Sequence, residues 1–293
     1  MRHTILVAGA TGMLGEPVAR QLQRDGYSVR VLTRNPERAR AKLGGSFDFV
    51  RGDVLDISSL ERAIAGCLGI HISLRGGPGA KDFERVEHHG TANIARVSTK
   101  AGVKHLTYLS GAAVFEEYSF HHLVRGKLQA ESAIRESGVP YTIFCATHFM
   151  ESLSRFIRGG RAVIIGRQPH PLHWLAASDY ARMVSKAFRI DEAKNKRFFV
   201  FGPEALTTLE ALKIYCSIVH PGVNISSMPI WLLSLIGKLS FNAELQFIAD
   251  LMRFFEEVGE GRGEPEEANR LLGAPTTTLE QWCRERQSSN LRL

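Results

Sequence analysis

The sequence predicts an α/β fold, a Rossmann-type doubly wound parallel sheet with a small, mainly helical C-terminal cap. Apolar runs typical of buried strands alternate with helical patterns as far as Cys145, which is the pattern of a parallel sheet covered on both faces. A glycine-rich segment, Gly9–Gly15, joins the first strand to the first helix. Beyond Met150 the alternation gives way to short strands and then to a mostly helical pattern, which predicts the cap.

Each predicted strand is a short apolar run, and the intervals between strands leave room for a helix. In chain order the strands are Thr4–Ala8, Ser28–Thr33, Phe47–Arg51, Gly69–Leu74, Val103–Leu109 and Tyr141–Cys145, then the shorter Ala162–Ile165 and Arg197–Phe201. Strands and helices that alternate in this way favour parallel pairing with crossover connections.

Helices are predicted between these strands. Pro17 suits the first turn of the first one, where its missing N–H costs nothing, and the breaker Ser137–Pro140 ends another. The predicted helices are 16–22, a charged helix ending at residue 43, 57–65, 82–101, 122–136 and 178–188, and from residue 209 the chain is mostly helical to a last helix near 279–282.

The segment after the first strand has the glycine pattern of a phosphate-binding turn. Its glycines let the backbone approach a pyrophosphate, and the free N–H groups and positive dipole end of the following helix face the same group. The predicted contacts to a dinucleotide are Gly9, Thr11, Gly12, Met13, Leu14 and Gly15. We therefore assign residues 1–150, with 176–202 returning to the sheet, to a dinucleotide-binding domain, and residues 151–175 and 203–293 to a cap for substrate or partner.

Composition and charge exclude several other classes of protein. No signal peptide precedes the first strand, and the most apolar stretch, Pro229–Ser240, is too short to span a bilayer. The formal net charge is +7, but Lys and Arg are scattered, so direct nucleic-acid binding is not expected. The cysteines form no metal-ligand or redox pair, so we predict no metal site and a cytoplasmic location.

The residue after the second strand decides the choice of dinucleotide. A carboxylate there would favour NAD by binding the ribose hydroxyls, but this sequence has Thr33 followed by Arg34. A guanidinium suits a 2′-phosphate, which predicts NADP(H) in preference to NAD(H). The alternative is that Arg34 is an ordinary surface charge.

The whole organisation resembles the atypical short-chain dehydrogenase/reductase superfamily, specifically its NmrA-like NAD(P)-binding branch. The matching motifs are Gly9-x-x-Gly12-x-x-Gly15, Gly52-Asp53-Val54, Ala101–His105, Leu109-Ser110-Gly111, Lys127-x-x-x-Glu131, Pro140–Glu151, Ala177-Ser178-Asp179 and Leu272–Pro275. The resemblance implies that Asp53 contacts the adenine amino group and that Val54 supplies backbone. It also implies that Ser73, Leu74 and Arg75 run beside the pyrophosphate and nicotinamide ribose. A helix cap is the alternative role for Asp53.

The catalytic position departs from the superfamily's pattern. Most members place a tyrosine four residues before the lysine that holds the nicotinamide ribose, whereas Leu123 precedes Lys127 here. Three interpretations remain open. Lys127 itself donates the proton, or a histidine (His121, His122 or His148) does, or Lys127 only holds the ribose and no chemistry occurs.

Two further residues match the family's substrate side. Ser110 corresponds to the hydroxyl that hydrogen-bonds a substrate carbonyl, with capping of the strand end as its alternative role. His148 is expected near the nicotinamide. The expected apolar wall of a substrate pocket is Phe149, Met150, Trp174, Trp231 and Phe241, each of which could instead be plain core.

These features together predict a cytoplasmic NADPH-dependent reductase of a small carbonyl or conjugated compound. One alternative is a non-catalytic redox sensor or assembly factor, which would bind a protein partner, or a second copy of the chain, through the amphipathic stretch Ile230–Phe254 of the cap. Another is a redox-neutral isomerase or epimerase with permanently bound cofactor.

Overall fold

A parallel sheet forms the centre of the molecule. The structure is a computed structural model that describes residues 3–77 and 79–290, and within these its largest sheet has seven strands. The strands of the chain are β1 Thr4–Ala8, β2 Ser28–Thr33, β3 Asp48–Arg51, β4 Gly69–Ile72, β5 His105–Gly111, β6 Tyr141–Ala146, β7 Ile157–Arg158, β8 Arg161–Ile165, β9 Leu172–His173, β10 Lys196–Val200, β11 Ala205–Leu206 and β12 Asn224–Met228. The large sheet has the order β10-β6-β5-β4-β1-β2-β3, and its paired strands are parallel.

The strand order reverses beside β1. Ala8 is paired with Leu32 of β2 on one side and with Ile72 of β4 on the other. The chain therefore forms β2 and β3 on one side of β1 and the later strands of the sheet on the other side. In open parallel sheets the crevice outside the carboxyl ends of the strands at such a point is where ligands bind. The fold therefore places the glycine-rich segment, which follows Ala8, at the edge of that crevice.

Helices cover both faces of the sheet. They are α1 Gly15–Arg24, α2 Pro36–Leu43, α3 Ile57–Ile64, α4 Ala80–Phe83, α5 Gly90–Ala101, α6 His122–Glu136, α7 Ala177–Ala187, α8 Thr208–Val219, α9 Ile230–Leu239, α10 Ala243–Val258, α11 Glu266–Leu272 and α12 Leu279–Asn290. Side-chain caps fix several starts: Asn35 accepts from the N–H of Arg38 at α2, and Asp56 accepts from that of Ser58 at α3. The predicted doubly wound fold is confirmed.

Two apolar layers hold the helices to the sheet. On one face, Val18 and Leu22 of α1 pack with Tyr180 and Val184 of α7 against the strands. On the other face, α3, α5 and α6 contribute a second buried cluster that includes Leu60, Ile94 and Ile134. Full burial of one such side chain stabilises the fold by about 1.5–3 kcal/mol, so these layers fix the strand ends that build the crevice.

The predicted single helix over 82–101 is wrong in one respect. Between α4 and α5 the chain forms a π-helical turn, Glu84–His89, before the α-helix resumes at Gly90. Such a turn fits one more residue into the helix and rotates the side chains around it, and it is often found at functional sites. Its effect here is that Glu87 points inward and is buried.

The region after residue 150 contains the predicted strand Ala162–Ile165, which is β8, and adds small elements that the sequence patterns did not predict. Strands β12, β8 and β7 form one sheet and β9 with β11 another, and two of the helices, α8 and α12, pack beside them. Asp179 of α7 accepts from the N–H groups of Thr276 and Thr277 at 2.9 Å, which ties the C-terminal segment to α7. None of the helices in the described ranges combines the length and the apolar character needed to cross a bilayer. The division into two domains stays a prediction.

Candidate functional site

A cavity of about 500 Å³ lies at the carboxyl end of the sheet, between the strand ends and α10. The predicted site residues that line it are Gly12, Met13, Leu14, Ser73, Leu74, Arg75, Ser110, Lys127 and His148. Six other predicted cofactor contacts, Gly9, Thr11, Gly15, Arg34, Asp53 and Val54, do not form its wall. Gly9, Thr11 and Gly15 belong to the glycine-rich turn after β1. Arg34 follows β2, and Asp53 and Val54 follow β3.

The glycine-rich turn has the geometry of a phosphate-binding turn. A Cβ on Gly9 would lie 2.1 Å from the carbonyl oxygen of Ser73, and one on Gly15 would lie 2.2 Å from that of Gly9, so both positions require glycine for packing. A Cβ on Gly12 would meet only the Gly9 carbonyl oxygen, at 3.1 Å, and its other side is open. Helix α1 has no side-chain cap, and Met13 and Leu14 at its start line the cavity. Uncapped N–H groups beside an open glycine fit a pyrophosphate.

The end of β2 carries positive charge and no carboxylate. Arg34 is exposed, and no ion pair or hydrogen bond of its side chain occurs within the described chain. Lys42 of α2, which the sequence patterns did not single out, donates from Nζ to the carbonyl oxygen of Thr11 at 3.0 Å. Lys42 also forms an ion pair with Glu16 at 3.5 Å, so Arg34 is the cation of this side whose charge is not paired within the described chain.

Asp53 and Val54 have structural contacts of their own. The Asp53 carboxylate accepts from the N–H of Leu55 at 3.0 Å through one oxygen, and its second oxygen has no hydrogen bond in the described chain. The alternative role of Asp53 as a helix cap is wrong, because Asp56 caps α3. The carbonyl oxygen of Val54 accepts from the side-chain amide of Asn93 at 3.1 Å.

Lys127 is part of a buried polar cluster that sequence reasoning missed. Its ammonium donates to Glu87 at 2.8 Å and to the carbonyl oxygen of Leu109 at 2.9 Å. The Glu87 side chain is 1% exposed and also accepts from the hydroxyl of Tyr108 at 2.7 Å. Burial and the Glu87 carboxylate raise the pKa of Tyr108 well above its ordinary value, so this phenol keeps its proton.

The protons of Lys127 can be counted. An ammonium has three N–H donors, and Glu87 and Leu109 accept two of them at short distances. The Tyr108 hydroxyl is the third acceptor, at a long 3.5 Å. Because the side chain is 21% exposed and lines the cavity, a ligand oxygen can replace this long contact. Leu123, one helical turn earlier, also lines the cavity. The position that usually holds the tyrosine therefore faces the ligand space and carries no proton donor.

Ser110 lies on the cavity wall, and its hydroxyl proton is donated to a group of the protein. Its hydroxyl donates to Glu131 at 2.6 Å, and that carboxylate, also 1% exposed, binds Arg135 and Arg197 at 2.7 and 3.1 Å. A hydroxyl has one donor, so donation to a substrate carbonyl would leave a buried carboxylate short of a partner. Thr147, another hydroxyl on the wall, likewise donates to a protein acceptor, Glu260. While Ser110 donates to Glu131 it can offer a ligand only its lone pairs, and its predicted catalytic role stays a prediction.

The histidines differ in position. His148 lines the cavity, and its ring packs against Trp174 and Phe255 with centroid distances of 5.8 and 4.4 Å. Burial lowers the pKa of His148 to about 4, so the imidazole is neutral at pH 7 and can donate one N–H without being an acid. His121 and His122 are not part of the cavity wall, and burial also lowers the pKa of each, that of His121 to about 4.

The apolar wall differs from the predicted one. Of the five residues expected there, only Phe149 lines the cavity; Met150 and Trp174 are core, whereas Trp231 and Phe241 are 65% and 93% exposed. Helix α10 supplies the wall instead, through Phe247, Leu251, Phe254 and Phe255. Their i, i+4, i+7, i+8 spacing defines one helical face, a signal that was present in the sequence.

The chain is similar to known proteins in sequence and in fold. The model of the NmrA-like family matches residues 1–284. The (4-alkanoyl-5-oxo-2,5-dihydrofuran-3-yl)methyl phosphate reductase of Streptomyces griseus subsp. griseus is 32% identical over 209 residues, 70% of each chain. The photosystem II assembly factor Ycf39 of Trieres chinensis is 22% identical over 259 residues, 86% of this chain and 81% of its own. The triphenylmethane reductase of Citrobacter sp. complexed with NADP(H) shares the fold, with a TM-score of 0.73 and 21% identity over 97% of this chain and 99% of its own. The chain belongs to the NmrA-like family.

Proposed function

We propose that this protein is an NADPH-dependent reductase of a small conjugated carbonyl compound. The observation that carries the proposal is that an open glycine-rich turn and the ammonium of Lys127, whose third hydrogen bond is a long one, lie on the wall of one largely apolar cavity. The cofactor, when bound, supplies hydride. Gly12, Met13 and Leu14 would hold its pyrophosphate, and Lys127 would contact the nicotinamide ribose or the substrate oxygen.

The preference for NADP(H) rests on the charges near the end of β2. Arg34 offers a planar fork that is free to bind a phosphate, whereas the nearby Lys42 is paired with Glu16. Thr33 stands where a carboxylate would repel a 2′-phosphate. These residues favour the phosphorylated dinucleotide.

The missing tyrosine favours a conjugated substrate over an isolated carbonyl. Reduction of an isolated carbonyl produces an alkoxide, which needs a proton donor at oxygen. Reduction of the carbon–carbon double bond of a conjugated carbonyl produces an enolate, which hydrogen-bond donors stabilise until water protonates its carbon. Lys127 and neutral His148 each offer one N–H into the cavity for that purpose. We assign them catalytic roles and assign Ser110 a positioning role.

The relatives support this choice of chemistry. The Streptomyces griseus relative is named as a reductase of an oxo-dihydrofuran, a ring in which a double bond lies next to a carbonyl. The Citrobacter enzyme, which shares the fold, is named as a reductase and is complexed with NADP(H).

A pair of matched substrates tests the proposal. We expect NADPH oxidation to be measurable by absorbance with 2-cyclohexenone and undetectable with cyclohexanone, which lacks the double bond. Lys127→Met should slow turnover about a hundredfold, the typical cost of one lost donor to a developing oxyanion. Lys104→Met, an exposed lysine outside the cavity, is the control and should leave turnover unchanged. Equal rates on both substrates, or full activity of Lys127→Met, would refute the assignment.

A second candidate function, binding of a protein partner, is suggested by an exposed apolar surface of the cap. Trp231, Leu235 and Leu239 of α9, together with Phe241, are exposed and form an apolar strip on the cap. The similarity to an assembly factor makes a nucleotide-dependent protein partner a reasonable second hypothesis. A pull-down with and without NADPH tests it: partners that change with nucleotide, in a protein with no turnover, would favour this role over catalysis. Nucleotide that co-purifies in equimolar amount without turnover would favour a redox-neutral isomerase.

A further inference from the structure

Two arginines on the cavity wall are held by no direct ion pair within the described residues. Arg75 follows β4 and Arg155 lies in the 3-10 turn Met150–Phe156 that follows β6, and both line the cavity. Elsewhere on the wall, charges are matched by protein groups: Lys127 pairs with Glu87, and Glu260 with His173. Neither arginine forms an ion pair or a side-chain hydrogen bond with any residue in the described ranges.

The two guanidinium groups act on each other. Burial, and after it the positive charge of Arg75, lower the pKa of Arg155, while Glu244 at the start of α10 opposes this effect. Both arginines are exposed to solvent, which weakens their mutual repulsion, and an anion that lies between them would be attracted by both charges. Because arginine binds phosphate through two parallel hydrogen bonds, a pair of arginines suits a dianion.

The glycine-rich turn already accounts for the phosphates of a dinucleotide. Its uncapped α1 start and open Gly12 lie on the β1 side of the cavity, and Arg34 and Lys42 lie near β2. Arg155 instead comes from the segment after β6 and lies near Glu244 at the start of α10. The side chains of Phe247 and Leu251 on the same helix form part of the apolar wall. A ligand held by this arginine has its apolar part against α10.

We propose that Arg75 and Arg155 bind a phosphate monoester group of the substrate, whose apolar portion packs against Phe247, Leu251, Phe254 and Phe255 of α10. The proposal rests on the proposed function and names its substrate class: phosphorylated, conjugated carbonyl compounds with an apolar group. The relative from Streptomyces griseus is itself named for a methyl phosphate substrate with an alkanoyl group.

The test uses protein saturated with NADPH, so that the cofactor's own phosphates are already bound. Phenyl phosphate and phenol are the probes, because they differ only in the phosphate. Calorimetry should give phenyl phosphate at least about tenfold tighter binding than phenol, the effect of one charged hydrogen bond or more. Arg155→Gln and Arg75→Gln should each remove most of this difference, while Arg155→Lys should retain part of it. Arg158→Gln, an exposed arginine outside the cavity wall, is the matched control and should change nothing.

The possible outcomes separate this proposal from the proposed function. Equal affinity of the wild-type holoprotein for the two probes would overturn the proposal while leaving NADPH binding intact. A loss of NADPH affinity in Arg75→Gln and Arg155→Gln, with phenyl phosphate binding unchanged, would assign the arginines to the cofactor's pyrophosphate and also overturn it. Failure of wild-type protein to bind NADPH would refute the proposed function itself. Thermal melting of each variant verifies that it is folded.

Discussion

Replacing Lys127 with methionine isolates the buried carboxylate of Glu87. Glu87 then keeps only the Tyr108 hydroxyl among the hydrogen bonds that the structure shows. Breaking a buried ion pair by removing one partner costs about 3–5 kcal/mol. Because Lys127 is 21% exposed and Tyr108 still donates to Glu87, we expect a smaller loss, about 2–3 kcal/mol. For a chain of this size that lowers Tm by roughly 3–5 °C.

A double-mutant cycle shows whether the loss comes from the pair. Glu87→Gln combined with Lys127→Met leaves two neutral side chains, so the buried charge is gone and about 1–2 kcal/mol of stability should return. Urea unfolding followed by fluorescence gives the free energy of unfolding of all four proteins. Additive effects of the two substitutions, or a change below about 0.5 kcal/mol for Lys127→Met, would refute the reasoning.

Two other perturbations follow from the structure. Gly9→Ala should destabilise the fold by several kcal/mol, because φ of Gly9 is +93° and the new Cβ would meet the Ser73 carbonyl. Gly12→Ala should keep most of the stability and weaken NADPH binding. A Gly12→Ala protein that binds NADPH normally would contradict this. Stability should also fall as pH falls from about 6.5 to about 4. Burial holds the folded-state pKa of four histidines at about 3 or 4, so the unfolded chain takes up protons that the folded chain does not, and each histidine contributes up to about 1.4 kcal/mol per pH unit. They are His71, His105, His121 and His148. Urea midpoints that stay constant between pH 7 and pH 5 would contradict this assignment.

The fold was predictable because its signals are local. Most strands of the large sheet are rich in apolar residues, and Gly9, Gly12 and Gly15 mark the turn just after the first one. The spacing of Leu123 and Lys127 likewise places both on one helix face without knowledge of any other element. The fold class and the family assignment are confirmed, whereas the roles of the individual site residues stay predictions.

The partners of the site residues were not predictable for the opposite reason. Glu87 accepts from Lys127 across 40 positions of sequence, and it lies in a π-helical turn that the helical pattern did not predict. Glu131 was part of a recognised motif, but nothing local indicates that it accepts the proton of Ser110, 21 positions away. Strands of two residues, such as Ile157–Arg158, are too short to show alternation.

The central claim is that the crevice binds a phosphorylated nicotinamide dinucleotide, and calorimetric titration with NADPH and NADH tests it most directly. The account predicts that NADPH binds about tenfold or more tightly than NADH, and that Arg34→Asp abolishes or reverses this preference. Absence of measurable binding of either nucleotide to the wild-type protein would contradict the account.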